Sequence, residues 1–537
     1  MWPPFLLQLL LPVLAAAQLP LPNPPYLPPS ASSGAQTSSS SGNTESPVVK
    51  LARKPIYFYD AQRSGTLPAN NRVPWRNSSL VNDGKDAGIG SERASIPPCF
   101  FNLFTKCPAA DLDDAYWGGD QNIPQNPLPP HLQPAQLSIP AGPSTDLTLI
   151  LPHCKTQLTA QTLQTHAQQL YTFAKTYQSS VPAVGESYGS SGFGDDLTIA
   201  ALFLAWASGT SSYYQDAQHY FQQYKLTGQD DVFNWDSKTP GIYVLLAQIA
   251  QGSSGLGGNL TTWQTECERY FDNIVNNNAA SLTSDGLLYY DGDSNDATLN
   301  PALNAAMLLT RYAPMASTSD KKASYTVRVY FFLRTRLASE ISFLLSQKFA
   351  QNQLDYVLGK NSMSGIPIQD CSAFLTKRAC LVPYVVGSNP NSPANPHSAM
   401  ASGGNDIGNI DTSPPQEAYV LYGAVVGGPD KHGRFYDIRS DWPETEVALD
   451  YNAPMLTLAA MHVLNDTSDP FFTSLQAGAY DKVRPSGQPC DDAISDGCSG
   501  PKLSKAAIIA LAVVLSVVGL IIIGLLIWYF RIRRARK

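Results

Sequence analysis

The segment from Phe435 to Pro454 contains the residue types that could carry out acid–base chemistry. Two carboxylic acids, Asp437 and Glu446, stand at fixed offsets from aromatic residues and from the amide Asn452. A positioned carboxyl group can donate a proton to a reacting group or accept one from it. A Glu in an acidic run is more often a solvated loop residue, so this interpretation depends on the rest of the pattern.

The rest of the pattern is specific, because every constrained position resembles the second signature of glycoside hydrolase family 9. The agreeing positions are Phe435, Asp437, Trp442, Glu446, Ala448, Asn452 and Ala453. The upstream segment Gly423–Asp430, which reads Gly-Ala-Val-Val-Gly-Gly-Pro-Asp, adds to the resemblance. The chain therefore resembles a cellulase of this family.

The resemblance implies an inverting glycosidase, in which two carboxyl groups flank the sugar about 6.5–9.5 Å apart. One protonates the departing oxygen, and the other activates the attacking water. By resemblance Glu446 is the general acid, and Asp437 is its companion in the active site. The activity implied is that of an endo-β-1,4-glucanase acting on cellulose or a related β-glucan.

A second family signature is present in altered form. It carries Gly-x-Asn followed by Pro-His-His-Arg, whereas here Gly387-Ser-Asn389 is followed by Pro396 and His397. Ser398 and Ala399 replace the second His and the Arg, so part of the usual sugar-binding inventory is absent. We expect His397 to donate a hydrogen bond to a sugar hydroxyl or a carboxylate; the alternative is a structural histidine.

The N-terminal hallmark of the family is interrupted. Phe58–Gly65 and Leu67–Arg76 resemble it, and in members a motif with two aspartates follows that positions and deprotonates the catalytic water. Asp86-Ala87-Gly88 is only superficially similar, because Ile89 stands where the next Asp is needed. The chain continues into Ala110–Asp120, which resembles family sequence from many tens of residues further on. The water-activating aspartates and one barrel helix are therefore missing.

Two explanations of this gap are open. Either the sequence carries gene-structure errors at exon boundaries, or the protein is a non-catalytic descendant that binds or senses a glycan. Pro97–Phe104 and Leu147–Cys154 read like frame-shifted filler, and Leu132–Lys155 does not resemble the family, which favours the first explanation. A further alternative is remodelling of the organism's own wall glucan, which attachment to a membrane would suit.

Other residues are candidates for binding. Trp117 could stack on a sugar ring, although loop tryptophans also serve as core anchors, and Tyr451 could line the cleft. A turn at a helix start resembles the family's structural calcium site, with Asp196 in place of Glu. The residues of that predicted site are Ser191, Gly192, Asp195, Asp196 and Asp236. The alternative is an acidic helix N-terminus that complements the helix dipole. The chemistry itself requires no cofactor.

Composition limits the class of partner. The formal net charge of −7 over 537 residues argues against nucleic acid, which needs a basic face, whereas a neutral β-glucan needs no charge balance. With 15% charged residues, 38 Gly and 42 Pro, the composition is typical of a loop-rich secreted enzyme. We expect a monomer.

The two ends predict a membrane protein of type I. An apolar run ends in Ala15-Ala16-Ala17, and a second one ends at Trp528–Phe530 before the basic tail. The predicted organisation is a signal peptide (1–17), a disordered Pro/Ser-rich segment (18–47), the family-9-like domain (48–467), a stalk (468–504), a transmembrane helix (505–530) and a cytoplasmic tail (531–537). This arrangement resembles the membrane-tethered fungal members and places the catalytic domain outside the plasma membrane.

An extracellular location predicts glycosylation and disulfides. The acceptor sequons are at Asn77, Asn259 and Asn465. The cysteines are Cys99, Cys107, Cys154, Cys267, Cys371, Cys380, Cys490 and Cys498. The local pairs Cys371/Cys380 and Cys490/Cys498 are the best candidates, but spacing alone does not fix the connectivity.

Apolar spacing of three and four residues predicts a mostly helical body. The predicted helices are 158–177, 197–206, 211–224, 242–251, 262–277, 299–312, 326–358 and 451–463. Periodicity does not separate a solenoid from a closed barrel. The family resemblance implies an all-α fold, the (α/α)6 barrel of six helical hairpins, incomplete in its N-terminal part.

Overall fold

The structure is a computed structural model, and its described residues lie mostly in the central and C-terminal parts of the body. The described residues are 58–59, 61–62, 67, 73, 78, 157–176, 178, 191–252, 255–276, 278, 280–325, 349–359, 361, 382–387, 392–402, 407–413, 415, 417, 419–465 and 484–495. The chain divides into two units, Met1–Ser486 and Gly487–Lys537. In the second unit Cys490 is disulfide-bonded, and the Asp491 carboxylate accepts the N–H groups of Ala493 and Ile494.

Helices dominate the described residues. The α-helices are α1 Gln157–Thr176, α2 Gly194–Ser208, α3 Ser211–Gln223, α4 Thr239–Gln251, α5 Leu260–Val275, α6 Leu299–Tyr312, α7 Ser319–Tyr325, α8 Phe349–Val357, α9 Ala399–Ser402, α10 Trp442–Thr445 and α11 Leu449–Asn465. Strands β1 Ser281–Leu282 and β2 Leu288–Tyr289 pair antiparallel, with Ser281 opposite Tyr289. Short 3₁₀-helices span Ser294–Asp296, Ala313–Met315 and Ile407–Asn409.

The helices form inner and outer layers. Helix α2 is buried over most of its surface, from Gly194 to Ala205, as a helix in the middle of a core must be. Helix α3 buries one stripe, Tyr214, Ala217, Tyr220 and Phe221, which packs against α2. Helices α4 and α5 form a similar pair, and the inner helices α2, α4, α6 and α11 contact one another in succession. Hairpins with one apolar and one amphipathic helix therefore surround a common core.

The N-terminal ends of the inner helices meet. The N–H of Lys238, which precedes α4, donates to Asp195 Oδ2 at the start of α2, 2.6 Å away. The amide of Asn300 in the first turn of α6 donates to the carboxylate of Asp450 in the first turn of α11. Polar residues at these ends are hydrogen-bonded to neighbouring helices, whereas the helix interiors are apolar. This end of the bundle is where the signature residues lie.

Periodicity predicted the helices well and their first turns poorly. Helices α1 to α6 and α11 confirm the predicted ranges, but α2 begins at Gly194 instead of 197 and α4 at Thr239 instead of 242. The first turns carry polar or small residues such as Asp195 and Pro240, which apolar spacing does not register. Helix α7 was not predicted. Of the predicted helix 326–358, the part from Phe349 to Val357 is helical and residues 326–348 lie outside the described residues.

Several predictions concern residues outside the described part. These are the signal peptide, the Pro/Ser-rich segment, the span 505–530, the basic tail, Asn77, Trp117, and the cysteines 99, 107, 154, 371, 380 and 498. Among the described helices none combines the length and apolar character needed to cross a membrane. Cys267 is a buried free thiol on α5.

Candidate active site

A backbone hydrogen bond brings two predicted site residues together. The N–H of His397 donates to the carbonyl of Thr445 over 2.8 Å, and His397 and Glu446 form an isolated parallel bridge. The first residue comes from the loop before α9, and the second follows α10. The loop and the signature segment are distant in the sequence, so the site is assembled by folding and not by local structure.

The tautomer of His397 follows from its hydrogen bond. Its Nδ1 lies 2.7 Å from the carbonyl oxygen of Arg439. Because a carbonyl oxygen only accepts, Nδ1 carries the hydrogen, and Nε2 is the acceptor nitrogen of the neutral ring. The side chain is half-buried. In the neutral ring the Nδ1 hydrogen is donated to the Arg439 carbonyl, whereas we expected His397 to donate to a sugar hydroxyl or a carboxylate.

Arg439, whose carbonyl binds the His397 ring, is itself held by a buried ion pair. The arginine is 2% exposed, and its Nε donates to Glu417 Oε1 over 2.6 Å, while a second N–H donates to the carbonyl of Ile410. Breaking a buried ion pair typically costs about 3–5 kcal/mol, because it leaves an uncompensated charge. Sequence reasoning missed this pair: Arg439 occupies an unconstrained position of the signature, and Glu417 lies outside it.

Asp437 is fully buried and holds the neighbouring loop. Its carboxylate accepts the N–H of Ala394 at 2.8 Å and that of Asn395 at 3.1 Å, and its backbone has a left-handed φ of +51°. Burial raises the pKa of Asp437 to about 6, although these N–H donors lower it. With no exposed surface, Asp437 positions the loop that leads to His397 and does not face a substrate.

Tyr451 is buried and contacts Glu446. Its hydroxyl donates to Glu446 Oε2 over 2.9 Å. The residue is 4% exposed, so its ring does not offer a face for a sugar, in contrast to the sequence-based expectation. Tyr451 lies two positions from the start of α11 and one position before the buried Asn452, so its place depends on how that helix begins.

The start of α11 is fixed by buried amides. Asn452 accepts the N–H of Val425 at 3.0 Å and donates to the carbonyl of Ala448 at 2.8 Å. Pro454 lies inside the helix and lacks the N–H that would bond to the carbonyl of Asp450. The side-chain amide of Asn304 approaches that carbonyl instead, at 3.5 Å. These contacts fix the helix that carries Tyr451 and thereby the carboxyl group of Glu446.

The pKa of Glu446 is raised to about 7. Burial is the largest cause, the hydrogen bond from Tyr451 opposes it, and the negative charges of Asp450 and Asp296 raise it further. A carboxyl group with a pKa near 7 keeps its proton at mildly acidic pH, where an ordinary Glu is ionised. Glu446 can therefore act as a general acid.

The predicted calcium residues lie at the N-terminus of α2 and in the loop before α4. The N–H of Ser191 donates to Asp236 Oδ1 over 2.7 Å, so the turn and the distant partner are joined. Asp195 and Asp196 are buried in the first turn, and the pKa of Asp196 is raised to about 7 by burial and by Asp195 and Asp236. The three carboxylates are not all within 4.8 Å of one another. Gly192 has open space around its Cα.

One predicted glycosylation site has an accessible side chain. Asn259 is exposed at the N-cap of α5, where its side-chain oxygen accepts the N–H of Thr261. Asn465 is the last residue of α11, and its side chain lies outside the described residues.

Comparison with known proteins identifies the family. The model described as "Glycosyl hydrolase family 9" matches residues 49–122, 148–366 and 375–459. The chain belongs to glycosyl hydrolase family 9. It is a glycoside hydrolase of the cellulase type by that membership.

Two curated relatives of family 9 illustrate the extent of the similarity. Endoglucanase A of Bacillus pumilus is 26% identical over 475 residues, which is 75% of this chain and 64% of that protein. Endoglucanase 15 of Arabidopsis thaliana is 26% identical over 483 residues, which is 76% of this chain and 92% of that protein.

Solved family-9 structures share the fold. The endoglucanase of the termite Nasutitermes takasagoensis matches with a TM-score of 0.56 and 24% identity, over 78% of this chain and 99% of that one. Endoglucanase CelQ from Clostridium thermocellum, complexed with cellotetraose, matches with a TM-score of 0.58 and 21% identity, over 80% and 73% of the two chains. The helical hairpins described above thus belong to an (α/α)6 barrel, as family resemblance implied.

The raised pKa of Glu446 predicts where kcat/KM declines on the alkaline side of its pH profile (the alkaline limb). Because a general acid must be protonated, kcat/KM should fall as pH rises through about 7. Tyr451→Phe removes the hydrogen bond that stabilises the carboxylate, so the limb should move to higher pH. The measurement is kcat/KM on a soluble cello-oligosaccharide between pH 4 and 9. Tyr213→Phe on the outer helix α3 is the matched control and should leave the limb in place; a limb that stays or moves to lower pH in Tyr451→Phe contradicts the assignment.

Proposed function

We propose that this protein is an endo-β-1,4-glucanase that hydrolyses cellulose or a related β-glucan with inversion, with Glu446 as the general acid. The observation that carries the proposal is the half-buried Glu446 carboxyl group, whose pKa is raised to about 7 beside the hydroxyl of Tyr451. The relatives are named endoglucanases, and the solved CelQ is complexed with a cello-oligosaccharide.

The reaction assigns a separate role to each residue. Glu446 gives its proton to the glycosidic oxygen as the bond to the anomeric carbon breaks, and a water molecule attacks that carbon from the opposite face. Tyr451 orients the Glu446 carboxyl group through its hydroxyl. His397 lies beside Glu446 through the backbone bridge, with its ring oriented by the Arg439 carbonyl, so it is placed to accept a hydrogen bond from a sugar hydroxyl. Asp437 holds the loop that carries His397.

The first experiment measures reducing-sugar release from carboxymethylcellulose by the full-length protein and by Glu446→Gln. Because Gln cannot give up a proton, activity should fall by about 10²–10⁴-fold. Glu266→Gln on the outer helix α5 is the matched control and should retain wild-type activity. Nuclear magnetic resonance of the fresh product should show the α-anomer, as inversion of a β-linkage requires.

The alternative function, glycan binding without hydrolysis, predicts a different result in the same experiment. Folded wild-type protein that binds cello-oligosaccharides but releases no reducing sugar would sink the enzyme proposal and support a glycan-binding or sensing protein. Retention of activity in Glu446→Gln would instead leave the reaction standing and remove Glu446 as its acid.

We also propose that the cluster at the N-terminus of α2 binds a structural calcium ion. The residues fit in chemistry, since Asp195, Asp196 and Asp236 supply hard carboxylate oxygens. They fit in charge as well, since the repulsion that raises the pKa of Asp196 would be relieved by a cation. Ser191 and Gly192 would complete the site from the turn, and the ion would anchor α2 to the loop before α4. It would take no part in the chemical step.

Thermal unfolding tests the calcium proposal. Excess calcium should raise the melting temperature and chelation should lower it, with about 2.7 kcal/mol of stabilisation when calcium is at 100 times its Kd. Asp196→Asn should abolish the response. Asp320→Asn removes an exposed acid from the first turn of another helix, α7, and is the control for the helix-dipole alternative. It should keep the shift in melting temperature with calcium. Equal responses of the two variants would overturn the assignment.

We further propose that the protein is anchored in the plasma membrane as a type I protein with the domain outside. The support is the apolar segment 505–530 followed by basic residues, together with the exposed sequon at Asn259. Full-length protein should stay in the membrane pellet after alkaline carbonate extraction, and a chain ending at residue 504 should be released. Full-length protein in the soluble fraction would exclude the anchor.

A further inference from the structure

The general base that would act together with Glu446 can be sought among the carboxylates whose charge affects Glu446. An inverting glycosidase needs a second carboxylate to take the proton of the attacking water, and the family's own motif for this is interrupted in this chain. Among the described residues, two other carboxylates act on the charge of Glu446, namely Asp450 and Asp296. Both are therefore candidates for the second carboxylate.

Asp450 is committed to a structural contact. Its carboxylate accepts the side-chain amide of Asn300, and its pKa is raised by burial. It also belongs to the first turn of α11, only a few positions from Glu446 along the same chain segment. A carboxylate that anchors one inner helix to another is poorly suited to turn toward a water molecule.

Asp296 is more accessible than Asp450, which is only partly exposed. It is exposed, at the end of the 3₁₀-helix Ser294–Asp296, which packs against α10 immediately before Glu446. Its effect on Glu446 acts through space, since the side-chain hydrogen bond of the Glu446 carboxyl group comes from Tyr451. The charges of the two carboxyl groups therefore interact across the contact between these two segments.

Backbone contacts fix the distance between the two segments. The N–H of Leu299 donates to the carbonyl of Gly427 over 2.8 Å, and the N–H of Gly428 donates to the carbonyl of Glu444 over 2.8 Å. A Cβ on Gly427 would lie 2.2 Å from the carbonyl oxygen of Pro443. The Gly427–Gly428 segment is therefore a tight spacer between α10 and the chain that carries Asp296.

The loop of Asp296 is itself rigid and strained. The buried Ser294 exchanges two 2.8 Å hydrogen bonds with the backbone of Tyr290, and the hydroxyl of Thr298 donates to the carbonyl of Pro429. Between them Ala297 has φ of +126°, a conformation that favours glycine. Such strain costs of order 1–3 kcal/mol and is concentrated at functional sites. The strained residue directly follows Asp296.

We propose that Asp296 is the general base of this enzyme. The inference rests on the proposed glucanase activity. As the water oxygen bonds to the anomeric carbon, Asp296 takes one water proton, while the bond to the glycosidic oxygen breaks and that oxygen takes the proton of Glu446. The products are an α-configured hemiacetal and a free sugar hydroxyl, with Asp296 protonated and Glu446 ionised until they exchange protons with solvent.

Kinetics of Asp296→Asn in the full-length protein test the proposal. On cellotetraose, kcat should fall by about 10²–10⁴-fold, with KM within a few-fold of wild type, because a base acts in the transition state and not in binding. Asp291→Asn, an exposed acid of the same loop, is the matched control and should stay within twofold of wild type. Asp450→Asn should alter stability more than kcat.

Chemical rescue separates a base from a positioning residue. In Asp296→Ala with β-cellobiosyl fluoride, azide needs no deprotonation and fits the space left by the carboxylate. It should restore turnover and yield α-cellobiosyl azide. A loss of activity without azide rescue, or a rise in KM that accounts for the loss, overturns the assignment. Wild-type-like kcat in Asp296→Asn overturns it while the glucanase stands, whereas an inactive wild-type protein removes both.

Discussion

The hydrogen bond between the N–H of His397 and the carbonyl of Thr445 is the contact on which the site depends. It joins the loop that carries His397 to the segment that carries Glu446. Both sides of this contact are fixed from within the core: the loop by the buried carboxylate of Asp437, and the segment by the Gly427–Gly428 spacer. A change at any of these points would move His397 relative to Glu446, although all of them are buried.

The chemistry of Glu446 results from a balance of opposing effects. Burial and two neighbouring aspartates favour its protonated form, while the hydroxyl of Tyr451 favours the carboxylate. The first set prevails, so the group keeps a proton at a pH where free Glu has lost it. The same residues serve the architecture, since Asp450 also binds Asn300 and Tyr451 belongs to the first turn of α11. The residues that set the pKa of Glu446 are therefore also residues of the first turn of α11.

The barrel explains why acidic residues collect at one end. Inner helices must be apolar over most of their surface, so polar chemistry is confined to their ends and to the connecting loops. The helix N-termini favour negative charge, and Asp195, Asp196 and Asp450 lie in such first turns. Asp296 lies in the loop just before α6 at the same end. The cluster at the start of α2 and the site around Glu446 are thus two results of one constraint.

The sequence by itself determined the helices with regular apolar spacing and the family, and it singled out Glu446 as the candidate acid, since these follow from local periodicity and from a contiguous motif. It did not determine that Tyr451 is buried against Glu446, that Arg439 is paired with Glu417, or that Asp437 is enclosed. Nor did it single out Asp296. The charge of Asp296 acts on Glu446 because Gly427 brings the segment before α6 into contact with α10. Burial and through-space charge depend on which segments pack together, and no spacing along the chain encodes that. Only the tertiary structure decided them.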